Sequence, residues 1–531
     1  MGLAKHLRLW SAWFCLLALC FFAALRQPIL AQTGTRKLPS AEKIVDHYLK
    51  AIGGKKQASA IRDATYDWTI QLHEQSMGLA KTQFKTPAAQ RWEITFGNGQ
   101  IISAANPRSA WVRGLSGELR TLTGPEAANA KLQAALDVAH LVDYKKANIL
   151  ARVVSLDNSA AAYVVEFSSR GGARLRYLFS ISTRLLIAIQ DDVRNTVTRF
   201  EDYRLEGNML EPHTLQINQG GSGELTFRLQ RVSYNSGVAA DAFDPPRGGE
   251  ALDVASLLRQ VSRNQDEVEK RFLEYSLVQK ETQREIDGKG VIKKETVKVF
   301  EVFPLPNREP IMKLISENGI ALSGDRAAKE DKRVQEEFLK AERDKDKLAQ
   351  RQEQRRAEQQ RKRAAQGQQD DDVEISKFLM VCEFVSPRHE RFQDRDAVVF
   401  DFRARPGFKP GSRSESLISK LVGVVWIDPV DKQVMRLEAR LAEGFKMAGG
   451  LLLSLRPGAG LVMEQTRMNE GIWMPRFMQI NLSVKVLLFG GGDINQTIEW
   501  SDYKHFSADV DSYKLGVPKT EETPGKKPQR N

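Results

Sequence analysis

Apolar and polar positions change period along the chain, and each change predicts an element. Ile44, Val45, Tyr48, Leu49 and Ile52 recur at helical spacing behind Ser40-Ala41-Glu42-Lys43, an N-cap serine with acid in the first turn. Gly53-Gly54 ends that helix. From Ile61 the period becomes two. Tyr66, Trp68, Ile70 and Leu72 alternate with Asp67, Thr69 and Gln71, and Trp92, Ile94 and Phe96 alternate with Arg91, Glu93 and Thr95. Both runs predict half-buried strands of an antiparallel sheet. Gly97-Asn98-Gly99 marks a hairpin turn, and short strands follow over 100–104 and 109–113. A helix is predicted over about 125–142, opened by Pro125 and carrying Ala127, Leu132, Leu136, Ala139 and Leu141. Strands resume over 149–156, 161–167, 174–180, 185–190, 197–205, 213–219 and 225–234, and the Pro/Gly run from Phe243 to Gly249 reads as a linker.

The second half begins the same way. A helix over 252–272 leads into strands over 273–286 and 290–302, joined by the hairpin signal Asp287-Gly288-Lys289-Gly290. Strands return over 397–403, 421–427, 434–441, 460–469, 477–488 and 493–503. Asp202 to Pro212 in the first half matches Glu464 to Pro475 in the second: a strand, a turn with glycine, a proline, then an alternating strand. Two readings fit, a shared turn geometry or a duplicated fold. The expected organisation is a leader over 1–31, a first β domain over 40–246 and a second over 250–507. A charged helical insertion at 325–372 interrupts the second domain, and a polar, disordered tail covers 508–531.

The leader changes the picture most. Lys5, His6 and Arg8 precede an apolar run from Leu9 to Leu25 broken only by Ser11, and Arg26-Gln27-Pro28 then leads to small residues near Ala31. That is the order of parts in a secretory signal peptide. A retained membrane anchor is the rival reading, because the apolar run is long. Leu19 stands where a lipoprotein site at Cys20 would need a small residue. Removing the leader removes Cys15 and Cys20, so Cys382 is left without an internal partner and a cysteine-based metal site is nearly excluded. A buried, inert thiol is expected there. Hydrophobic content of 41% and charged content of 27% suit globular domains. For an exported chain, the net charge of +12 points to anionic lipid or cell-wall polymer, and no module for nucleic acid is present in the sequence.

The order helix, antiparallel meander, helical interlude, meander resembles the periplasmic lipoprotein carriers and sensors of the LolA/LolB type. Ala41 to Gly54 looks like the opening helix of outer-membrane lipoprotein-sorting proteins. Val232-Ser233-Tyr234-Asn235 with Phe243-Asp244-Pro245-Pro246 is similar to their closing strand and tail, and Trp426-Ile427-Asp428-Pro429 with Val434 to Glu438 to their central hairpin. The resemblance implies a mainly β, α+β fold: curved antiparallel sheets (incomplete β-barrels) with covering helices, here two of them. It also implies an apolar concavity that holds acyl chains. A half-barrel cannot fill its own hollow from a facing sheet, so apolar side chains stay available to a ligand. Candidate lining residues are Trp68, Ile70, Trp92, Ile94 and Trp111 in the first half, and Trp426, Phe477, Ile480 and Leu482 in the second; plain core is the competing reading of each.

Catalytic patterns are missing from the sequence. The seven histidines show no metal-ligand spacing, and Ser116 and Ser222 do not fit a nucleophile elbow. No catalytic residue, metal or cofactor is therefore expected. The insertion carries Glu/Lys pairs such as Glu336 and Lys340 at helical spacing, then a basic run of Arg351, Arg355, Arg356, Arg361, Lys362 and Arg363. Lacking an apolar stripe, it reads either as a solvated helix or as an arm for an anionic membrane surface. The expectation is a non-catalytic envelope protein of the periplasm, released or tethered, that binds a lipid or lipoprotein acyl chain. A protein-binding sensor without a lipid ligand is the alternative, a hydrolase the third reading, and the oligomeric state is left open.

Overall fold

The computed structural model describes residues 38–505 apart from 73–74, 137–140, 170, 221–222, 247–252, 288–290, 306–308, 344–377, 448–452, 469–470 and 487–489. The expected leader over 1–31, the basic run from Arg351 to Arg363 and the tail over 508–531 lie outside the described residues.

The chain is mainly β, with two large antiparallel sheets, neither closed into a barrel. Helices α1 (Ala41–Ala51) and α2 (Lys55–Ala60) precede the first sheet. Its strands are β1 (Asp63–Leu72), β2 (Gln75–Lys85), β3 (Ala89–Phe96), β4 (Gly99–Ala105), β5 (Ala110–Arg113), β6 (Leu119–Thr121), β7 (Leu150–Asp157), β8 (Ala162–Ser168), β9 (Arg174–Ser180), β10 (Leu186–Asp191), β11 (Thr196–Glu206), β12 (Met209–Gln219) and β13 (Glu224–Tyr234). They are ordered 6-5-4-3-2-1-13-12-11-10-9-8-7, and helix α3 (Gly124–Ala135) lies in sequence between the two edge strands.

The second sheet follows helix α4 (Val254–Phe272) with β14 (Tyr275–Ile286), β15 (Ile292–Phe303), β16 (Ile311–Glu317) and β17 (Ile320–Ala321). Helix α5 (Gly324–Arg343) comes next, then β18 (Cys382–Phe392), β19 (Arg395–Ala404), helix α6 (Arg413–Ile418), β20 (Leu421–Asp428) and β21 (Gln433–Leu441). The short β22 (Phe445–Met447) and β23 (Leu453–Leu455), then β24 (Gly460–Arg467), β25 (Trp473–Val486) and β26 (Gly490–His505), complete it. The order is 17-16-15-14-26-25-24-21-20-19-18, with β22 and β23 to the side. Each half thus meanders to one edge, passes through a helix, returns from the opposite edge and closes its last strand on its first. The matched stretches Asp202–Pro212 and Glu464–Pro475 occupy the same place, the hairpins β11–β12 and β24–β25. The duplicated-fold reading accounts for this; a shared turn alone does not.

Two compact units emerge, and they combine residues from both halves of the sequence. The larger comprises the described residues up to Asn264 with those of Gln283–Glu295 and Asp371–Thr497. Within it, α1 presents Ile44, Val45, Tyr48 and Leu49 to the first sheet, its N-terminus capped by the Ser40 hydroxyl accepting from the Lys43 amide. The same core holds residues of β1 (Tyr66, Trp68, Ile70) and of β9 (Leu175, Tyr177, Phe179). Five inter-strand steps separate β1 from β9, about 24 Å in a flat sheet. A helix is only about 10 Å wide, so the sheet has to curl around it. Register shifts in β1, at Asp67/Trp68 against β13 and at Ile70/Gln71 against β2, are the bulges that bend the strand. Gly53 fixes the helix end: its φ is +130°, and a Cβ there would lie 2.3 Å from the Asn208 carbonyl oxygen.

An ion network buried within this larger unit ties strands of the first sheet to strands of the second. Arg388, 1% exposed, donates from Nε to Glu390 Oε1 at 2.7 Å and from Nη1 to Asp401 Oδ1 at 3.1 Å. Its Nη2 reaches Thr121 Oγ1 at 2.7 Å. Glu390 in turn accepts from the Thr121 amide (2.8 Å) and hydroxyl (2.6 Å), and Asp401 accepts from the Ser109 hydroxyl at 2.6 Å. Nearby, α4 packs Leu257, Leu258 and Val261 against Val398, Phe400, Val425 and Ile427. Cys382 is fully buried in a further cluster, and burial pushes its thiol up to about 12.

The smaller unit contains Gln265–Thr282 and the described parts of Thr296–Asp370 and Ile498–Asn531. Here the first part of the charged insertion is docked rather than free. Val334 and Phe338 of α5 pack on Phe303, Leu305 and Ile311, and the Leu314 amide donates to Glu330. Two apolar residues one turn apart suffice for this where a full stripe is lacking.

Replacing Arg388 with methionine would leave Glu390 buried without its cation and Asp401 with only the Arg108 guanidinium, 3.6 Å away. A loss of about 3–5 kcal/mol is expected in urea unfolding followed by circular dichroism. Maleimide labelling followed by peptide mapping should leave Cys382 unmodified in the native protein at mildly alkaline pH and label it after denaturation.

Candidate functional site

The inward face of the first sheet is not filled by the helices that cover it. Tyr66, Trp68 and Ile70 of β1 point to that face, and Trp92 of β3 lies beside them. Across the ladder their neighbours are small: Trp68 pairs with Ala80, Ile70 with Gly78 and Trp92 with Thr82. The indoles therefore lie over β2, and the Trp68 Nε1 donates to Thr82 Oγ1 at 2.5 Å. Tyr66 stacks on Trp68 with centroids 6.0 Å apart, and Trp92 meets Phe227 edge-on at 5.9 Å.

Beyond these rings is a cavity of about 130 Å³ that opens to solvent. Its apolar wall is formed by Trp68, Phe84 and Trp92 on one side, Tyr177, Ile189 and Phe200 on the other, and Leu136 and Leu141 with Tyr48 of α1. Polar groups are few. Arg62, Asp63 and Lys85 come from the strand ends: the Arg62 amide donates to Asn235 Oδ1, Asp63 Oδ1 accepts from the Gly237 amide, and the Lys85 ammonium donates to the Val238 carbonyl at 2.6 Å. The remaining charged group is Glu211 on β12, 2% exposed. Its Oε1 accepts from the Tyr66 hydroxyl at 3.1 Å and from the Tyr234 hydroxyl. Burial, then the Glu211 charge, raises the Tyr234 phenol well above its usual range, so it stays protonated and donates. Burial likewise raises Tyr203, whose hydroxyl donates to the Leu186 carbonyl at 2.7 Å.

The structure distributes the sequence-derived candidates among several places. Trp68 and Trp92 line the cavity. Ile70 is fully buried in the core beside it, and Ile94 packs partly buried against the same core. Trp111 lies apart, with Ile102 and Ala104, its Nε1 donating to the Phe243 carbonyl. Trp426 is 1% exposed, with the Arg436 guanidinium 6.0 Å from its ring centre. Phe477, Ile480 and Leu482 are half-buried on β25. The sequence does not single out Glu211, Tyr203 and Tyr234 as site residues, because it is the fold that brings Tyr66 of β1 to Glu211 and Tyr234 on the consecutive strands β12 and β13. No group of three or more His, Cys, Asp or Glu side chains among the described residues is placed to hold a metal ion, and no helix among them is long and apolar enough to cross a membrane.

No family model matches the chain, and no curated protein matches it. Among solved structures it is similar to a DUF1329 family protein from Desulfovibrio piger, at 11% identity and a TM-score of 0.27 over 38% of this chain and 97% of that one. It is also similar to a LolA superfamily protein from Nitrosomonas europaea, at 12% identity and a TM-score of 0.28 over 39% of this chain and 99% of that one. A complex of MucB with MucA gives 8% identity and a TM-score of 0.14 over 87% and 93%. The LolA superfamily is the one that the sequence resembles.

Phenylalanine at Tyr234 removes one donor from a buried carboxylate. A loss of about 1.5–3 kcal/mol is expected on urea unfolding, and the additional change Tyr66→Phe should destabilise further.

Proposed function

We propose that the cavity of the first sheet binds one hydrocarbon chain of an amphiphile, without catalysis, in the envelope compartment to which the leader would direct the protein. The observation that carries this reading is the cavity itself: an aromatic and aliphatic wall around a space that the covering helices leave open. Its size favours one chain over a multiply acylated anchor. At about 130 Å³ the cavity lies below the range of a drug-sized ligand site and has room for no more than a single chain. Binding would draw on the hydrophobic effect, about 0.8 kcal/mol for each methylene buried.

That figure sets the test. Titration of detergent-free protein with a series of saturated single-chain alcohols, followed by tryptophan fluorescence, should tighten about fourfold per added methylene until the cavity is full. A brominated chain should quench the native protein, and replacing both Trp68 and Trp92 by phenylalanine should remove most of that quenching. Affinity independent of chain length would sink the reading.

A further inference from the structure

Within the cavity, the feature that an acyl-chain site does not require is Glu211. Burying a carboxylate beside apolar rings is unfavourable unless donors compensate it, and here two phenols from β1 and the end of β13 converge on one of its oxygens. The hairpin does not demand this residue. In the second half the residue before the equivalent proline is Met474, fully buried at the same place on β25. Glu211 therefore answers to something in the first sheet alone, and the cavity it lines is there.

We infer that the cavity selects amphiphiles whose head is a hydrogen-bond donor without negative charge, an amine or a hydroxyl, over those ending in a carboxylate or phosphate. This rests on the chain-binding reading above and deepens it. The physical ground is the difference between buried and exposed charge. A carboxylate at 2% exposure acts on the cavity through low-dielectric surroundings, where its repulsion of an entering anion is strong. The opposing cations weigh less: Arg62 is exposed and screened by solvent and salt, and the Lys85 ammonium keeps its charge but is only part-buried and is held on the Val238 carbonyl at the end of β2. Asp63, the second carboxylate on the wall, adds to the negative side. A hydroxyl or ammonium can donate to an acceptor-only carboxylate; a fatty-acid anion cannot.

The experiment displaces the neutral dye N-phenylnaphthylamine from the full protein, at neutral pH and below micelle-forming concentrations, with hexadecylamine, hexadecanol and palmitate. The amine and the alcohol should displace the dye at concentrations at least about tenfold below palmitate. In Glu211→Gln the gap between amine and palmitate should collapse, with Glu211→Met as a second variant should the first not fold. Palmitate displacing as well as the others from the native protein would overturn the inference while leaving chain binding intact. So would an unchanged gap in a folded variant. Failure of the dye and of all three chains to bind would remove chain binding itself, and the selectivity with it.

Discussion

The pairing of β1 with β13 is the constraint on which the rest of the first sheet depends. It joins the first and last strands of a long meander, Ala64 facing Tyr234 and Gln71 facing Thr226. With that ladder in place, strands from β7 to β6 form one continuous sheet, and the bulges beside Trp68 and Ile70 turn its centre inward. The curl lets α1 touch β1 and β9 in a single core. It also leaves the hollow, because a helix laid across a curved sheet meets it along a stripe and cannot track its whole inner surface. The same ladder brings Tyr66 and Tyr234 together on Glu211, so closure of the sheet and the polarity of its cavity are set by one pairing.

The buried Arg388 network has a different character. Its partners Thr121 and Ser109 come from the β5–β6 side of the first sheet and its carboxylates from β18 and β19 of the second. Apolar surfaces could pack there in several registers. A guanidinium with fixed donor directions, two carboxylates and two hydroxyls accept few arrangements, because any other leaves a buried charge unpaired. Lys131 of α3, 3.8 Å from Glu438, and Arg440, which donates to the Pro107 carbonyl, add further polar ties within the same unit. Duplicated sheets that could otherwise behave as beads on a string are in this way held together.

How much of this is legible in the sequence depends on how regular each face is. The alternation in β1 and β3 and the helical spacing of α1 are plain, because one side of each is buried and the other is not. Strand β2 escapes such a reading for a physical reason: Met77 and Leu79 face out, Leu79 being 61% exposed, while Gly78, Ala80 and Thr82 face inward to make room for the indoles opposite, and of its large residues only Phe84, near its end, faces the cavity. A strand that complements bulky neighbours has its hydrophobic pattern inverted. The short α2 and the β16 and β18 strands are also unannounced. Of the cavity, Trp68 and Trp92 can be proposed from their strands, but the third dimension separates them from Trp111, which lies in another cluster. Glu211 cannot be proposed at all. Its one faint mark is the contrast with Met474 in the matching hairpin, visible only once the repeat is taken as a repeat.

Closing each sheet on its own first strand also bears on how the chain folds. The β1–β13 ladder spans well over a hundred residues, so contact order is high and the rewarding contact is the last to form. While the chain emerges, β1 keeps an unpaired edge and Trp68 stays uncovered until Tyr234 has arrived. The second half repeats the delay with β14 and β26, separated by the charged insertion. A nascent molecule of this design carries open edges twice over, the state in which strands pair with the wrong neighbours. The risk of mispairing therefore lasts, in each half, until its final strand has arrived.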